Sequence, residues 1–399
     1  VKNKQSLAIG LISGIVITLA VVVGLDNVDK LGFISNASIS PSSKTARNKI
    51  KEIEELIDYR FLHDVEESNL LESMYAGLVA GLEDEYSHYF TKAELEAAME
   101  VLSGHYQGIG AIMTMAKDNP DIIIGHLYEE GPAKKAGVKV GDVIIAVDGV
   151  ELTEHNLEDV VNLIRYNEDS HVTLSLRREG NDELIDITIE KGDVEVDSLA
   201  AEMLQDNIGV ITIFQFTKST ATQFEEVYQE LREQGMTRLL VDVRGNPGGS
   251  LNGVCDTLRV FMPAGLLVYA EDKQGNQTKF ESKGETPIDM PLVVLIDEHS
   301  ASASEIFAGA VKEHQVGTLV GQTTFGKGVV QSIFDLSDGS GVKLTTSAYF
   351  TPNGEDINGK GITPDILVEQ VIIEDEPEGE FEDVQLDKAM EVLMSMSFN

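Results

Sequence analysis

Cysteine is almost missing from this chain. Cys255 is alone among 399 residues, which excludes an internal disulfide and any multi-thiolate metal site. Its place in the run LNGVCDTLRVFM, between Val254 and Leu258, is that of a small buried apolar side chain rather than a catalytic thiol. Positive charge is scarce as well. Against 68 acidic residues stand 30 basic ones, a net charge of -38. A polyanion of that size repels a phosphate backbone, so nucleic acid is excluded as a partner. The eight histidines are scattered, and neither an H-E-x-x-H pair nor a G-x-S-x-G elbow occurs.

What is present suits a globular protein of two or three domains, with 42% hydrophobic residues. Residues 7–25, LAIGLISGIVITLAVVVGL, are uncharged and follow Lys2 and Lys4. At about 1.5 Å per residue such a helix just spans a bilayer. The two lysines predict a cytoplasmic N-terminus. The run is longer than a signal-peptide core and no small-x-small cleavage site follows it, so the expectation is an uncleaved single-pass anchor with the rest of the chain extracytoplasmic.

Composition and periodicity divide the remainder. Residues 1–34 read as a cytoplasmic stub and anchor, and 35–103 as a linker followed by a helical arm. In that arm apolar positions recur at helical spacing (Ile50, Ile53, Leu56, then Leu70, Met74, Leu78), and Thr91 with Glu94 predicts a capped helix. Residues 104–192 carry short alternating runs with Gly, Asp and Asn turns, a small strand-rich domain with one helix over about 155–165. From 193 to 370 strands alternate with helices, which predicts an α/β core. An acidic segment and an amphipathic C-terminal helix fill 371–399.

Two segments of that core carry candidate chemistry. Ser302 stands between Ala301 and Ala303 in DEHSASASEIFAG, at the start of a predicted helix that follows an apolar strand. Small neighbours admit a substrate carbonyl, and a helix start offers unpaired N–H groups to a developing oxyanion. A serine at this position is also an ordinary helix cap. Lys327 lies between Gly326 and Gly328 in the nearly uncharged run GQTTFGKGVVQS. Desolvation there would favour its neutral amine, a base for a serine hydroxyl. An exposed turn lysine is the plain alternative. GQTTFGKG also fits the first positions of a phosphate loop, but Gly328 replaces the magnesium-binding Ser or Thr and a strand, not a helix, is predicted next. His299 precedes the helix start and need not face Ser302; Glu305 reads as charge support for the helix N-terminus.

Taken in order, YQGIGA, EGPAKKAGVKVGDVIIAVDG, LLVDVRGNPGG, SASASEIFAGA, GQTTFGKGVVQ, LTTSAYFTPNG and KGITPDI resemble the carboxyl-terminal processing peptidases, the tail-specific proteases of the S41 type. The resemblance covers roughly residues 50–370. It implies an α/β protease core with an inserted strand-rich PDZ domain at 104–192, joined here to the helical arm and the N-terminal transmembrane helix. It implies Ser302 as nucleophile, Lys327 as general base and Gln331 as the residue that orients the lysine. The backbone N–H of Ala303, with that of Gly248 or Gly249, would form the oxyanion hole. The loop Gly108, Ile109 and Gly110 would take the substrate's C-terminal carboxylate, and Arg165 would couple the PDZ domain to the active site. Neither metal nor organic cofactor is implied. The expected partners are protein or peptide substrates with a free C-terminus and, through the terminal helices, a second copy of the chain. A PDZ scaffold that binds without cutting and a histidine-dependent serine protease are the competing readings.

Overall fold

The structure is a computed structural model describing residues 43–115, 121–128, 130–152, 157–165, 169–181, 183–370 and 383–396. The described residues form two compact units, one of Glu96–Val330 with the chain from Thr346 onward, the other of the chain to Leu95 with Gln331–Thr345.

The larger unit is built on a sheet whose strands run in the order Leu199–Met203, Ile208–Ile213, Arg238–Asp242, Leu292–Ile296, Thr318–Gly321 and Ile366–Leu367. All pairs after the first are parallel. Apolar side chains on both faces explain the near-continuous runs RLLVD and LVVLI. Because side chains alternate along a strand, Leu240, Val293, Leu295 and Val320 share one face. The C-terminal helix Val384–Ser395 covers that face with Ala389 and Leu393. Helices Thr220–Glu233, Leu251–Arg259 and Ala303–Glu313 supply Phe224, Leu258 and Phe307 to other buried parts of this unit, with the rings of Phe216 and Phe261 tilted against those of Phe224 and Phe307.

The strand-rich domain is a second sheet in the same unit, ordered Ala111–Met115, Ile122–Leu127, Val143–Val147, His171–Arg177 and Ile185–Glu190, every pair antiparallel. Ile124, Val160, Leu174, Leu176 and Ile189 close its core. The short helix Pro132–Ala136 begins on proline and ends at Gly137 with φ 95°, the arrangement a one-and-a-half-turn helix needs. The run YQGIGAIMTM holds two strands. His105–Gly108 pairs with Gly192–Glu195, and Ala111–Met115 opens the sheet. The break falls at Gly110, whose φ of 71° turns the chain. Because His105–Gly108 and Gly192–Glu195 are paired, the chain enters and leaves this domain side by side, as an insertion requires.

In the smaller unit, helices Lys44–Arg60 and Glu67–Ala80 precede strand His88–Phe90, which pairs with Gly341–Lys343. The Thr91 cap forms as its sequence predicts: Thr91 N–H donates to Glu94 Oε2 at 2.8 Å.

The transmembrane helix is removed from the fold class. Among the described residues no helix is long and apolar enough to cross a membrane; the longest, Lys44–Arg60, has 17 residues and carries charges along its length. Residues 7–25, like the linker up to 42 and most of the acidic segment, lie outside the described residues.

Candidate active site

Open parallel sheets place ligands beyond the carboxyl ends of their strands, and three neighbouring strands of the core do so here. Arg238–Asp242 leads into the glycine turn 245–249, Leu292–Ile296 into Ser302, and Thr318–Gly321 into Lys327. Parallel register sets Val241 beside Val294, and Val294 beside Leu319. The three loops therefore emerge as neighbours.

Ser302 sits directly before helix Ala303–Glu313, with φ 55° and ψ -111°. A non-glycine residue in that region costs on the order of 1–3 kcal/mol and persists only where its surroundings enforce it. The surroundings are visible. Ala301 N–H and Ser304 Oγ–H both donate to Asn246 O, at 3.1 and 3.0 Å. Asn246 is itself buried, donating through Nδ2 to Ile213 O at 2.9 Å and accepting from Gly248 N–H at 2.8 Å. The glycine turn lies against the serine so closely that a Cβ on Gly248 would come within 2.7 Å of Ala301 O and 2.9 Å of both Ala303 N and Ser302 Cβ.

Glu305, fully buried, joins the serine segment to the lysine segment. Its Oε2 accepts from Ser302 N–H and Lys327 N–H, each at 2.8 Å. Its Oε1 accepts from Gly326 N–H at 2.7 Å and Thr324 Oγ1 at 2.6 Å. Burial pushes its carboxyl above the ordinary range, against the hydrogen bonds from Thr324, Ser302, Lys327 and Gly326. Lys327 is 0% exposed. Tyr349 adds a second link, its hydroxyl 3.0 Å from Ser302 O and 2.5 Å from Lys327 O. A small chamber of about 10 Å³, room for roughly one water, lies beside Ser302, walled by Leu251, Ile306, Val329 and Val330 among others.

Arg244 anchors the glycine turn from behind. Its guanidinium donates to both oxygens of Asp383 at 2.8 Å, to Asp242 at 2.7 Å, and to Gln385 Oε1 at 3.1 Å. Asp383 caps the C-terminal helix, accepting from Leu386 N–H at 3.0 Å. The amphipathic tail is thus docked onto the turn that carries the candidate oxyanion donors.

Of the expected residues, Ser302, Ala303, Gly248, Gly249 and Lys327 come together. The N–H of Gly248 is committed to Asn246 Oδ1, which leaves Ala303 and Gly249 as the candidate anion donors. Gln331, 0% exposed, belongs to the smaller unit. There its Nε2 donates to Thr345 Oγ1 at 3.2 Å, and its Oε1 has no hydrogen-bond partner among the described residues. Arg165 ends the PDZ-region helix and pairs with Glu100. Ile109 is packed in the PDZ-region core, with Gly108 and Gly110 on either side. His299 is exposed, and its N–H donates to Asp297 Oδ1. Cys255 is fully buried, with its thiol pushed up to about 12 by that burial. The segment after Lys327 is strand Val329–Asp335, so the strand-loop-helix of a phosphate loop is not formed. Sequence reasoning missed the cross-linking role of Glu305 and gave none to Arg244 or Tyr349. The S-x-x-E spacing of Ser302 and Glu305 was the available signal, and it pointed only to a cap.

Comparison with known proteins identifies the family. The profile of Peptidase family S41 matches residues 207–368, and that of a PDZ domain matches 123–178. A Staphylococcus haemolyticus protein named "Probable CtpA-like serine protease" is 33% identical over 359 residues, 88% of this chain and 69% of that one. A "Carboxyl-terminal-processing protease" of Synechocystis is 32% identical over 320 residues, 79% and 75% of the two chains. The solved photosystem II D1 C-terminal processing protease shares 28% identity, with a TM-score of 0.46 over 82% of this chain and 88% of its own. The molecule is a serine protease carrying a PDZ domain. Within that class, the chain belongs to peptidase family S41, with the C-terminal processing proteases.

Proposed function

We propose that the chain is an endopeptidase cutting protein substrates near their C-termini through a Ser302–Lys327 dyad, while its PDZ domain holds the substrate tail. The observation that carries this reading is the Glu305 carboxylate, which holds the backbone N–H groups of Ser302 and Lys327 on one oxygen. Burial of Lys327 disfavours an ammonium ion and so favours the form that can accept a proton.

In the proposed reaction the Lys327 amine takes the Ser302 hydroxyl proton as Oγ bonds to the scissile carbonyl carbon. The N–H groups of Ala303 and Gly249 hold the resulting oxyanion. The C–N bond then breaks, the lysine returns the proton to the leaving amine, and an acyl-enzyme remains. Water attacks that ester with the lysine again as base, releasing the new carboxyl end and restoring Ser302. Gln331 would orient the lysine, and Arg165 would link PDZ position to turnover. The apolar chamber walls favour a small apolar side chain next to the scissile bond. Self-association is proposed through the N-terminal helices, where Leu56, Leu70, Met74 and Leu78 are exposed; Ala389 and Leu393 of the C-terminal helix are already packed on the sheet.

Turnover of a denatured protein tests the enzyme reading. Ser302→Ala should remove at least about 10³-fold of it, whereas His299→Ala should stay within about twofold of the parent. Retained turnover in Ser302→Ala contradicts the assignment of the nucleophile.

A further inference from the structure

Strands His88–Phe90 and Gly341–Phe350 of the smaller unit pair from Phe90 opposite Gly341 to His88 opposite Lys343. Past that point side chains take over from the backbone ladder. Ser87 Oγ accepts from Thr345 N–H at 3.1 Å and donates to Asp84 Oδ2 at 2.5 Å. Asp84 closes the turn, accepting from Tyr86 N–H at 3.4 Å through Oδ1 and from Ser87 N–H at 3.2 Å through its carbonyl. The turn is fastened to the helical arm as well. The Tyr89 hydroxyl donates to Glu72 Oε2 at 2.7 Å on helix Glu67–Ala80, and the Tyr89 ring lies 5.7 Å from that of Tyr75 on the same helix.

Thr345 carries this order to Gln331, because its hydroxyl accepts from Gln331 Nε2 at 3.2 Å. Gln331 stands in strand Val329–Asp335, which follows Lys327 in the chain, and is 0% exposed. A glutamine amide has a donor end and an acceptor end. With the donor end on Thr345, the acceptor Oε1 is left over, buried and with no hydrogen-bond partner among the described residues. A buried acceptor in that state is costly unless a donor meets it in function. An amine N–H is such a donor.

We infer that Thr345 is a positioning residue for Gln331, seated by Ser87 and its turn, so that Oε1 and not Nε2 faces the group Gln331 orients. The inference rests on the reading above that Gln331 orients Lys327. An amide turned end for end would donate into the lone pair that Lys327 needs as a base. The helical arm, through Glu72, Tyr89 and the turn at Asp84, thereby gains a share in turnover.

Measurements of kcat and KM for the full chain on an unstructured protein substrate test this. The variants are Gln331→Ala, Thr345→Val and Thr345→Ser, the double variant of Gln331→Ala with Thr345→Val, and Ser87→Ala. Valine keeps the shape of threonine and removes the accepting hydroxyl, serine keeps the hydroxyl, and melting temperatures check the fold. Thr345→Val should lower kcat about tenfold, the equivalent of one ordinary hydrogen bond, with KM within about twofold. Thr345→Ser should stay within about threefold of the parent, and Ser87→Ala, which leaves Thr345 itself intact and carries the test if Thr345→Val does not fold, should fall between the two. Once Gln331 is alanine, Thr345→Val should cost nothing more. A Gln331→Ala with parental kcat overturns the reading of Gln331 and this inference together. A slow Gln331→Ala beside a parental Thr345→Val or Ser87→Ala, a Thr345→Val loss that persists in the Gln331→Ala background, or a Thr345→Ser as slow as Thr345→Val overturns the positioning chain and leaves Gln331 standing.

Discussion

Two glycine turns of the molecule are proposed to receive an anion, and their surroundings differ. At 245–249 the turn is fixed by main-chain and buried side-chain partners: Asn246 to Ile213, Arg244 to Asp242 and Asp383, and Gly248 packed on the backbone of residues 301–303. At 108–110 one aromatic ring, that of Tyr106, lies against Gly108. The difference follows the ligands. An oxyanion exists only during the reaction, so its donors must be in place beforehand and cost no rearrangement. A substrate tail is a stable molecule, so the turn that takes it can adjust as it arrives.

The largest effect that would break this comparison is expected at Glu305. Glu305→Gln keeps the shape but places an amide NH₂ where two of the four donors now point. It should lower turnover by about 10²-fold or more and, by stranding buried N–H groups, destabilise the fold by roughly 2–4 kcal/mol in urea unfolding. Near-parental turnover would show that the two catalytic segments are held together by something else.

Alanine at the two glycines sharpens the contrast. Gly248→Ala puts a methyl into backbone atoms at a φ of 104°, and should cost about 2–4 kcal/mol. Gly108→Ala meets only the Tyr106 ring, which can rotate, and should cost about 1 kcal/mol or less. Equal penalties in matched unfolding curves would erase the distinction between a turn packed on backbone and one packed on a single side chain.

A smaller effect is expected at Asp383. Burial opposes its charge, but the hydrogen bonds and charge of Arg244 hold its carboxyl below the ordinary range. A depressed folded pKa contributes stability that is fully present above the unfolded value of about 3.9 and is lost as pH falls through the folded pKa. Asp383→Asn should therefore lower the melting temperature at pH 7, with a gap to the parent that shrinks as pH falls from about 5 towards 3. A gap independent of pH would mean that the pair with Arg244 does not stabilise the docked C-terminal helix.

Much of this was legible in the sequence where local rules decide. Thr91 with Glu94 predicted a capped helix, the alternation of strands and helices from 193 to 370 predicted an α/β core, and the ordered motifs pointed to the S41 peptidases. The rest depends on register. Glu305 meets Lys327 because Leu292–Ile296 and Thr318–Gly321 lie side by side, which no spacing in the sequence states. Arg244 meets Asp383 across 139 residues. The ring of Tyr106 lies where a Cβ on residue 108 would stand, which the glycine leaves open. The membrane helix was read from hydropathy alone, and the fold that is described contains no such helix.

The dyad itself is tested most directly by turnover of an unstructured protein substrate across pH 6 to 10, comparing the parent with Lys327→Arg. A guanidinium keeps the charge and much of the length of the side chain but offers no neutral base in this range. The parent's activity should rise with pH as the lysine gives up its proton, and Lys327→Arg, folded and equally able to bind a free-acid tail, should lose at least about 10³-fold at every pH. Near-parental turnover by Lys327→Arg would contradict a lysine base.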